Sequence, residues 1–459
     1  MDLADGRTPA EVSTFRAQPT EEEAVQGQLT SSVSTANPER IAIRLSEPRA
    51  PLNHRLPLLA LLLIASVAAT AGAQEDDSAI LRRVADTVLT QTTRRLIDRS
   101  TAQTFTDSAG LAPKPEISIE SKFNAWFYQT WLLTDGMRRA ASALADPAYR
   151  DYGERNLDFI YTHLDYFQRQ HAAGMKAAPV GDGALSPIGF YFRLTDLWHT
   201  GLAPLVVERY AQTKDPRYEP YLARMAEFLE KSPRLPDGTL HRARGRLIAD
   251  DPYMTVPYLV RMHRLTGEAR YLDDAAQQLL GTSRLLFNQS QGWYRHAWDV
   301  KAQAPLGEYW GRANGWMMLT EVELLAALPV SHPARARVLT LFAAHAEGLR
   351  RAQDPAGGWH QLLDHPESWI ESSSTGMFVY GLARGVNEGW LDGALAETAR
   401  KGWSALKQKV TADGDIVDVC GSTDVGGVSY YLARPRLQGD LHGFGPFLLS
   451  AGEILRLKR

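Results

Sequence analysis

A single cysteine, Cys420, among 459 residues rules out an intramolecular disulfide and any multi-thiol metal site. The role that fits it is a small buried apolar residue. Charge of one sign is equally scarce. Fifty Lys and Arg against 53 Asp and Glu leave a formal net charge of -3 and a pI near 6.5, which gives no electrostatic footprint for nucleic acid or an anionic membrane. No Gly-rich phosphate loop, Cys/His metal spacing or nucleophile elbow stands out, so phosphoryl transfer and serine hydrolysis lose ground, and neither metal nor cofactor is expected. The one conspicuous apolar run, Leu56 to Ala69, is shorter than the ~20 residues of a span and carries Pro57, so no stable membrane span is expected.

What is present begins with a two-part N-terminus. Residues 1–48 are rich in Glu, Ser, Thr, Pro and Ala without a sustained apolar period, and read as a disordered leader or a start assigned upstream of the natural one. Residues 49–73 follow the order basic (Arg49, His54, Arg55), apolar, small-x-small (Ala71-Gly72-Ala73), ahead of acidic Glu75-Asp76-Asp77. That is the order of a secretory signal cleaved after Ala73, which places the mature protein in the periplasm or outside the cell.

Residues 74–459 read as one domain. A short turn recurs in it: Asp146-Pro147-Ala148-Tyr149, Asp215-Pro216-Arg217-Tyr218, Glu268-Ala269-Arg270-Tyr271 and, more loosely, His332-Pro333-Ala334-Arg335. Each sits between two stretches of helical apolar spacing, as in Leu202, Leu205 and Val206 before the second copy and Tyr221, Leu222, Met225 and Phe228 after it. Proline behind an acidic cap starts a helix, and the tyrosines can pack between the two arms. A period of roughly 60 residues means stacked helical hairpins, and about six fit. Six can close into a ring, an all-α (α/α)6 toroid, with Leu441 to Leu457 as the closing helix; an open stack would leave two raw ends. Strand signals are few, and Asp415–Val419 with Val428–Leu432 is the best candidate hairpin.

In such a ring the loops at one end of the inner helices converge, so residues distant in sequence can share a cleft. Four segments carry more polar and aromatic chemistry than turns need. In Asp250-Asp251-Pro252-Tyr253-Met254, Pro252 makes Asp251 the expected N-cap and leaves Asp250 able to act as an acid or base. Asp196, in Thr195-Asp196-Leu197-Trp198-His199, occupies the equivalent place one hairpin earlier, and like charges sharing a cleft favour keeping one carboxyl protonated. Both also fit plain capping. His296 and the run Trp310-Gly311-Arg312-Ala313-Asn314-Gly315-Trp316 combine aromatics with a guanidinium that can fork onto a carboxylate or pair with a structural acid. Trp359-His360-Gln361 with Glu371-Ser372-Ser373 is polar enough for sugar hydroxyls, or for ordinary capping.

At Ile248-Ala249-Asp250-Asp251-Pro252-Tyr253-Met254, Trp310 to Trp316, Trp359 to Asp364 and His442-Gly443-Phe444-Gly445-Pro446, the chain resembles the unsaturated rhamnogalacturonyl hydrolases of glycoside hydrolase family 105, related to the unsaturated glucuronyl hydrolases of family 88. The likeness runs from about residue 120 to the end. It implies an (α/α)6 barrel that hydrates the C4=C5 double bond left by a polysaccharide lyase on a terminal uronic acid, with an oligosaccharide carrying that residue as substrate. It also implies Asp250 as the catalytic acid, Asp196 as the second active-site carboxylate, and His296, Trp310 and Arg312 as substrate contacts. Asp251, Asn314, Trp316, Trp359 and His360 are expected to line the same subsites. The chain departs from the family pattern at Ile248-Ala249, where many members carry a Trp, and at Pro252. Two other readings use the same residues: an inverting hydrolase of a saturated glycan with Asp250 as acid and Asp196 as base, and a non-catalytic periplasmic glycan-binding protein.

Overall fold

The computed structural model describes residues 76–180 and 185–458, and the expected leader and signal lie outside them. Among the described residues, twelve of the fifteen α-helices alternate between two burial patterns. α1 (Asp77–Gln91), α3 (Tyr152–Thr162), α5 (Glu219–Lys231), α7 (Ala269–Leu286), α9 (Arg335–Ala352) and α11 (Leu395–Lys407) each keep part of their surface in solvent; in α7 the buried Leu272, Ala275, Ala276 and Leu279 form one stripe. Helices with one apolar face belong on the outside of a bundle. The others are α2 (Tyr128–Ala143), α4 (Ala203–Thr213), α6 (Asp251–Thr266), α8 (Gly311–Ala327), α10 (Ser372–Asn387) and α12 (Leu441–Ile454). Residues 251–261, 311–322, 372–383 and all of α12 are buried without interruption, which only an inner position allows. Six inner and six outer helices make the (α/α)6 toroid.

The recurrent turns do what their composition dictates. Asp146 and Asp215 cap short 3-10 turns through the backbone N–H of Ala148 and Arg217, and Tyr149 and Tyr218 are buried behind them. Tyr271 of the third copy is only half-buried. The ring closes where α12 meets α2, and glycine permits the approach: a Cβ on Gly136 would lie 2.9 Å from Leu448 Cβ, and one on Gly445 would lie 2.7 Å from Leu132 Cγ. Toward the C-terminal ends of the inner helices, arginines meet the negative ends of the helix dipoles. Arg138 of α2 and Arg261 of α6 share Glu208 of α4, and Arg261 also pairs with Glu323 of α8. Arg139 and Arg384 share the fully buried Glu453.

At the opposite end, loops between outer and inner helices carry short antiparallel strands. One three-stranded sheet joins β1 (Leu96–Asp98), β2 (Thr104–Phe105) and β3 (Ile117–Ile119). β4 (Arg246–Ile248) pairs with a later strand, Ala297–Asp299, at Ile248 opposite Ala297, and so delivers the chain into α6 beside residue 296. The expected hairpin near the C-terminus does not form. Val419–Cys420 pairs instead with Arg436–Leu437, and Val428–Leu432 is a helical turn in which the Gly427 carbonyl accepts from the Tyr430 and Tyr431 N–H groups. That turn aims Tyr431 inward, where it is buried against His296.

Candidate active site

All six inner helices present their N-terminal ends to one mouth, and a chain of contacts around it joins the residues there. Asp196 heads the short 3-10 turn before α4 and accepts a 2.8 Å hydrogen bond from the Leu197 N–H. Asp250 stands at the N-cap of α6, half-buried, without capping it through its side chain. The expected cap, Asp251, does not cap either. It is inside the helix, buried, and held by Arg242, whose Nε and Nη2 donate to Asp251 Oδ2 and Oδ1 at 3.0 and 2.8 Å. A carboxylate that deep needs a counter-charge more than α6 needs a cap. Burial pushes the Asp251 carboxyl up to about 6 against the pull of Arg242. The same guanidinium lies 3.4 Å from Asp196 Oδ1, and its field reaches Asp250 as a third carboxylate. The two candidate catalytic acids therefore share one cation rather than facing each other bare.

His296 completes this corner. The Ala249 N–H donates to the His296 carbonyl at 2.9 Å, which continues the strand pairing and places the imidazole Nε2 3.8 Å from Asp250 Oδ1. The ring is fully buried, 4.8 Å from the Trp310 indole and 2.6 Å through Nδ1 from the Tyr431 hydroxyl. Burial, reinforced by the positive charges of Arg242 and Arg312, drives its pKa down to about 3.

The other expected substrate contacts are drawn into the framework. Arg312 is buried over Trp310 and donates to the Cys420 and Gly421 carbonyls at 2.5 and 2.7 Å, so two of its nitrogens brace the loop after residue 419 instead of forking onto a ligand. Asn314 exchanges hydrogen bonds with both backbone groups of Tyr294, tying the short strand Trp293–Tyr294 to α8. Trp310 and Trp316 are each 1% exposed, the latter stacked on Tyr253 at 5.2 Å. The Trp359 indole lies in the core with its N–H on the Leu349 carbonyl, and His360 is held by Asp354 at 3.0 Å and by the Ser368 carbonyl. The aromatics that reach the mouth half-exposed are Trp198, beside Asp196, and Tyr128.

Sequence reasoning missed Arg242, Tyr128, Tyr431 and Asp440. Tyr128 begins α2, its hydroxyl 2.7 Å from His442 Nε2, while His442 Nδ1 lies 2.6 Å from Asp440, the N-cap of α12. Burial alone would raise the Asp440 carboxyl, but His442 beside it holds it down to about 2. The only signal for this group was the His442-Gly443 motif. Cys420 is buried, as expected, and its N–H donates to Glu371, whose carboxylate also caps α10 through the Ser373 and Ser374 N–H groups. Among the described residues, no group of His, Cys, Asp and Glu is placed to hold a metal ion, and no helix is long and apolar enough to cross a membrane.

An (α/α)6 ring with acids gathered at one mouth is compatible with a carbohydrate-active enzyme, and similarity to known proteins makes the chain a glycoside hydrolase. Residues 97–458 match the model of Glycosyl Hydrolase Family 88, and the chain belongs to that family. It is 32% identical over 217 residues to an unsaturated 3S-rhamnoglycuronyl hydrolase of Alteromonas sp. (strain LOR), covering 45% of this chain and 50% of that protein. It is 31% identical over 260 residues to the unsaturated rhamnogalacturonyl hydrolase YesR of Bacillus subtilis (strain 168), covering 54% and 73%. The matched segment thus spans half the length of the first relative. In fold, the chain is similar to a possible member of the GH105 family from Salmonella enterica serovar Paratyphi A, with TM-score 0.64 and 20% identity over 84% of this chain and 96% of that one. It is also similar to the unsaturated glucuronyl hydrolase of Bacillus sp. GL1, with TM-score 0.55 and 16% identity over 83% and 96%.

Proposed function

We propose that the protein hydrates the C4=C5 double bond of a terminal unsaturated uronic residue on lyase-generated oligosaccharides, of the pectin and rhamnogalacturonan type or related, and so releases the adjoining sugar. One observation carries this: Asp250 stands at the N-terminal end of an inner helix, beside His296 and within the field of Arg242, in a toroid of this family. Relatives named for unsaturated rhamnoglycuronyl, rhamnogalacturonyl and glucuronyl hydrolysis support the substrate class. Six helix N-termini around the mouth add a field that favours the negative uronate.

In this chemistry the Asp250 carboxyl gives its proton to C4, a water oxygen bonds to C5, and the proton lost by that water returns to the carboxylate. Hydrogen and hydroxyl have then added across the double bond. The resulting C5 hemiketal opens by breaking its bond to the ring oxygen, and the hemiacetal freed at C1 releases the neighbouring sugar. Asp196 orients the water, and Arg242 balances the carboxylates so that several acids can occupy one mouth. Trp198 is the half-exposed indole on which a sugar ring can stack.

The test follows the ultraviolet band of the conjugated uronate while purified protein meets lyase-generated disaccharides from pectin, ulvan and glycosaminoglycans. Loss of the band with release of free sugar is expected on at least one of them. A flat trace on all, with hydrolysis of a saturated glycan or retention of unchanged ligand, overturns the proposal.

Export belongs to the same reading, supported by the basic, apolar, small-x-small order of residues 49–73 and by the polymeric origin of the substrate. N-terminal sequencing of the secreted protein is expected to begin at Gln74. A peptide from before Arg49 in the secreted protein contradicts it.

A further inference from the structure

His296 lies against a loop whose root is bonded from several segments. The Cys420 N–H donates to Glu371, the Cys420 and Gly421 carbonyls accept from Arg312, and the Tyr431 carbonyl accepts from Gln361 Nε2 at 2.7 Å. These bonds come from α8, the N-cap of α10 and the segment before it, so three places agree on where residues 420–431 sit. The loop ends in the helical turn that sends Tyr431 inward, its ring 6.2 Å from the Trp310 indole and its hydroxyl 2.6 Å from His296 Nδ1. That much precision is more than a surface connection needs.

We propose that Tyr431, held by this loop and its Arg312 brace, fixes the tautomer of His296 so that the Nε2–H faces Asp250. The assignment follows from counting protons. Burial keeps the Tyr431 phenol protonated, well above its usual range. The hydroxyl, 2.6 Å from Nδ1 of His296, has its proton to give, and Nδ1 accepts it. The groups facing the imidazole are Asp250, Arg242, Arg312, Trp310 and Tyr431, and burial with the two guanidiniums keeps it uncharged. An uncharged imidazole has one N–H, so it is on Nε2. At 3.8 Å from Asp250 the N–H is too far for a direct hydrogen bond, and a substrate or water oxygen entering between the two can bond to both. His296 is thus a hydrogen-bond donor beside the acid rather than a second base, and Arg312 and Tyr431 are positioning residues.

The first readout needs no substrate: nitrogen-15 spectroscopy of the histidine side chains in the full-length protein near pH 7. One signal with Nε2 protonated and Nδ1 bare is expected to vanish in His296→Gln and to lose that signature in Tyr431→Phe, which keeps the ring but not the hydroxyl. A His296 signal with Nδ1 protonated, or doubly protonated, in the wild type overturns the proposal, as does an unchanged signature in Tyr431→Phe. The second readout rests on the function proposed above: turnover of Tyr431→Phe should fall about a hundredfold with KM nearly unchanged, and unchanged turnover also overturns the positioning role. If the wild type acts on no unsaturated uronide, the functional reading fails while the spectroscopic assignment stands or falls by itself.

Discussion

Asp250→Asn is expected to abolish turnover of the unsaturated disaccharide by about three orders of magnitude, within the range that a positioned acid or base contributes. The amide keeps the shape and polarity of the carboxyl but has no proton acidic enough for carbon. Asp250 does not cap α6 through its side chain, so the helix start does not depend on it. Thermal unfolding should therefore move by only a few degrees, and KM by no more than a few-fold, since substrate orientation comes from the rest of the mouth. Decay of the ultraviolet band under saturating substrate gives the rate directly. An Asp250→Asn protein that keeps a tenth or more of wild-type turnover would falsify the assignment of the acid and send the search to Asp196 or Asp251.

Much of the frame was legible because it depends on local rules. An acidic residue before proline is a local helix-start signal, and at Asp146 and Asp215 it marks real turns whose buried tyrosines mark the seam between two arms. The closing helix could be read from the apolar density of residues 441–454, which only a helix buried on all sides needs. What escaped was partner choice. The sequence shows that Arg312 owns a fork, but not that the fork meets the carbonyls of residues more than a hundred positions away. Asp251 looked like a cap because Pro252 follows it, and the deciding partner, Arg242, lies in a hairpin whose basic run gives no hint of which arginine turns inward. Trp310, Trp316 and Trp359 share a composition with sugar-stacking platforms, yet the structure buries them in the core, while Trp198 stays half-exposed. For Val428–Leu432 the alternation of apolar residues favoured a strand, and tertiary placement of Tyr431 favoured a turn of helix.

Arg242→Met should unfold far more easily at pH 8 than at pH 5. The side chains have similar length, so packing is largely kept, and what disappears is the cation bonded to Asp251 at 2.8 and 3.0 Å. Removing one partner of a buried pair leaves the other uncompensated and costs about 3–5 kcal/mol. The pH dependence follows from Asp251. Its folded pKa, about 6, is raised above the ordinary carboxylate value of 3.8, so the native state holds that proton more tightly than the unfolded chain. The stability this gives is complete below about pH 4 and is lost as pH rises through about 6. Without Arg242, the attraction that opposes burial is gone, the folded pKa climbs further, and the loss continues to higher pH. At pH 5 the variant can carry a neutral Asp251 and should lose little; at pH 8 it must bury a bare charge or ionise nothing and hold a proton against solvent. Urea unfolding of wild type and variant at the two pH values separates the cases. An equal loss at both would mean that Arg242 supports the fold through its packing, and that Asp251 carries no charge that depends on it.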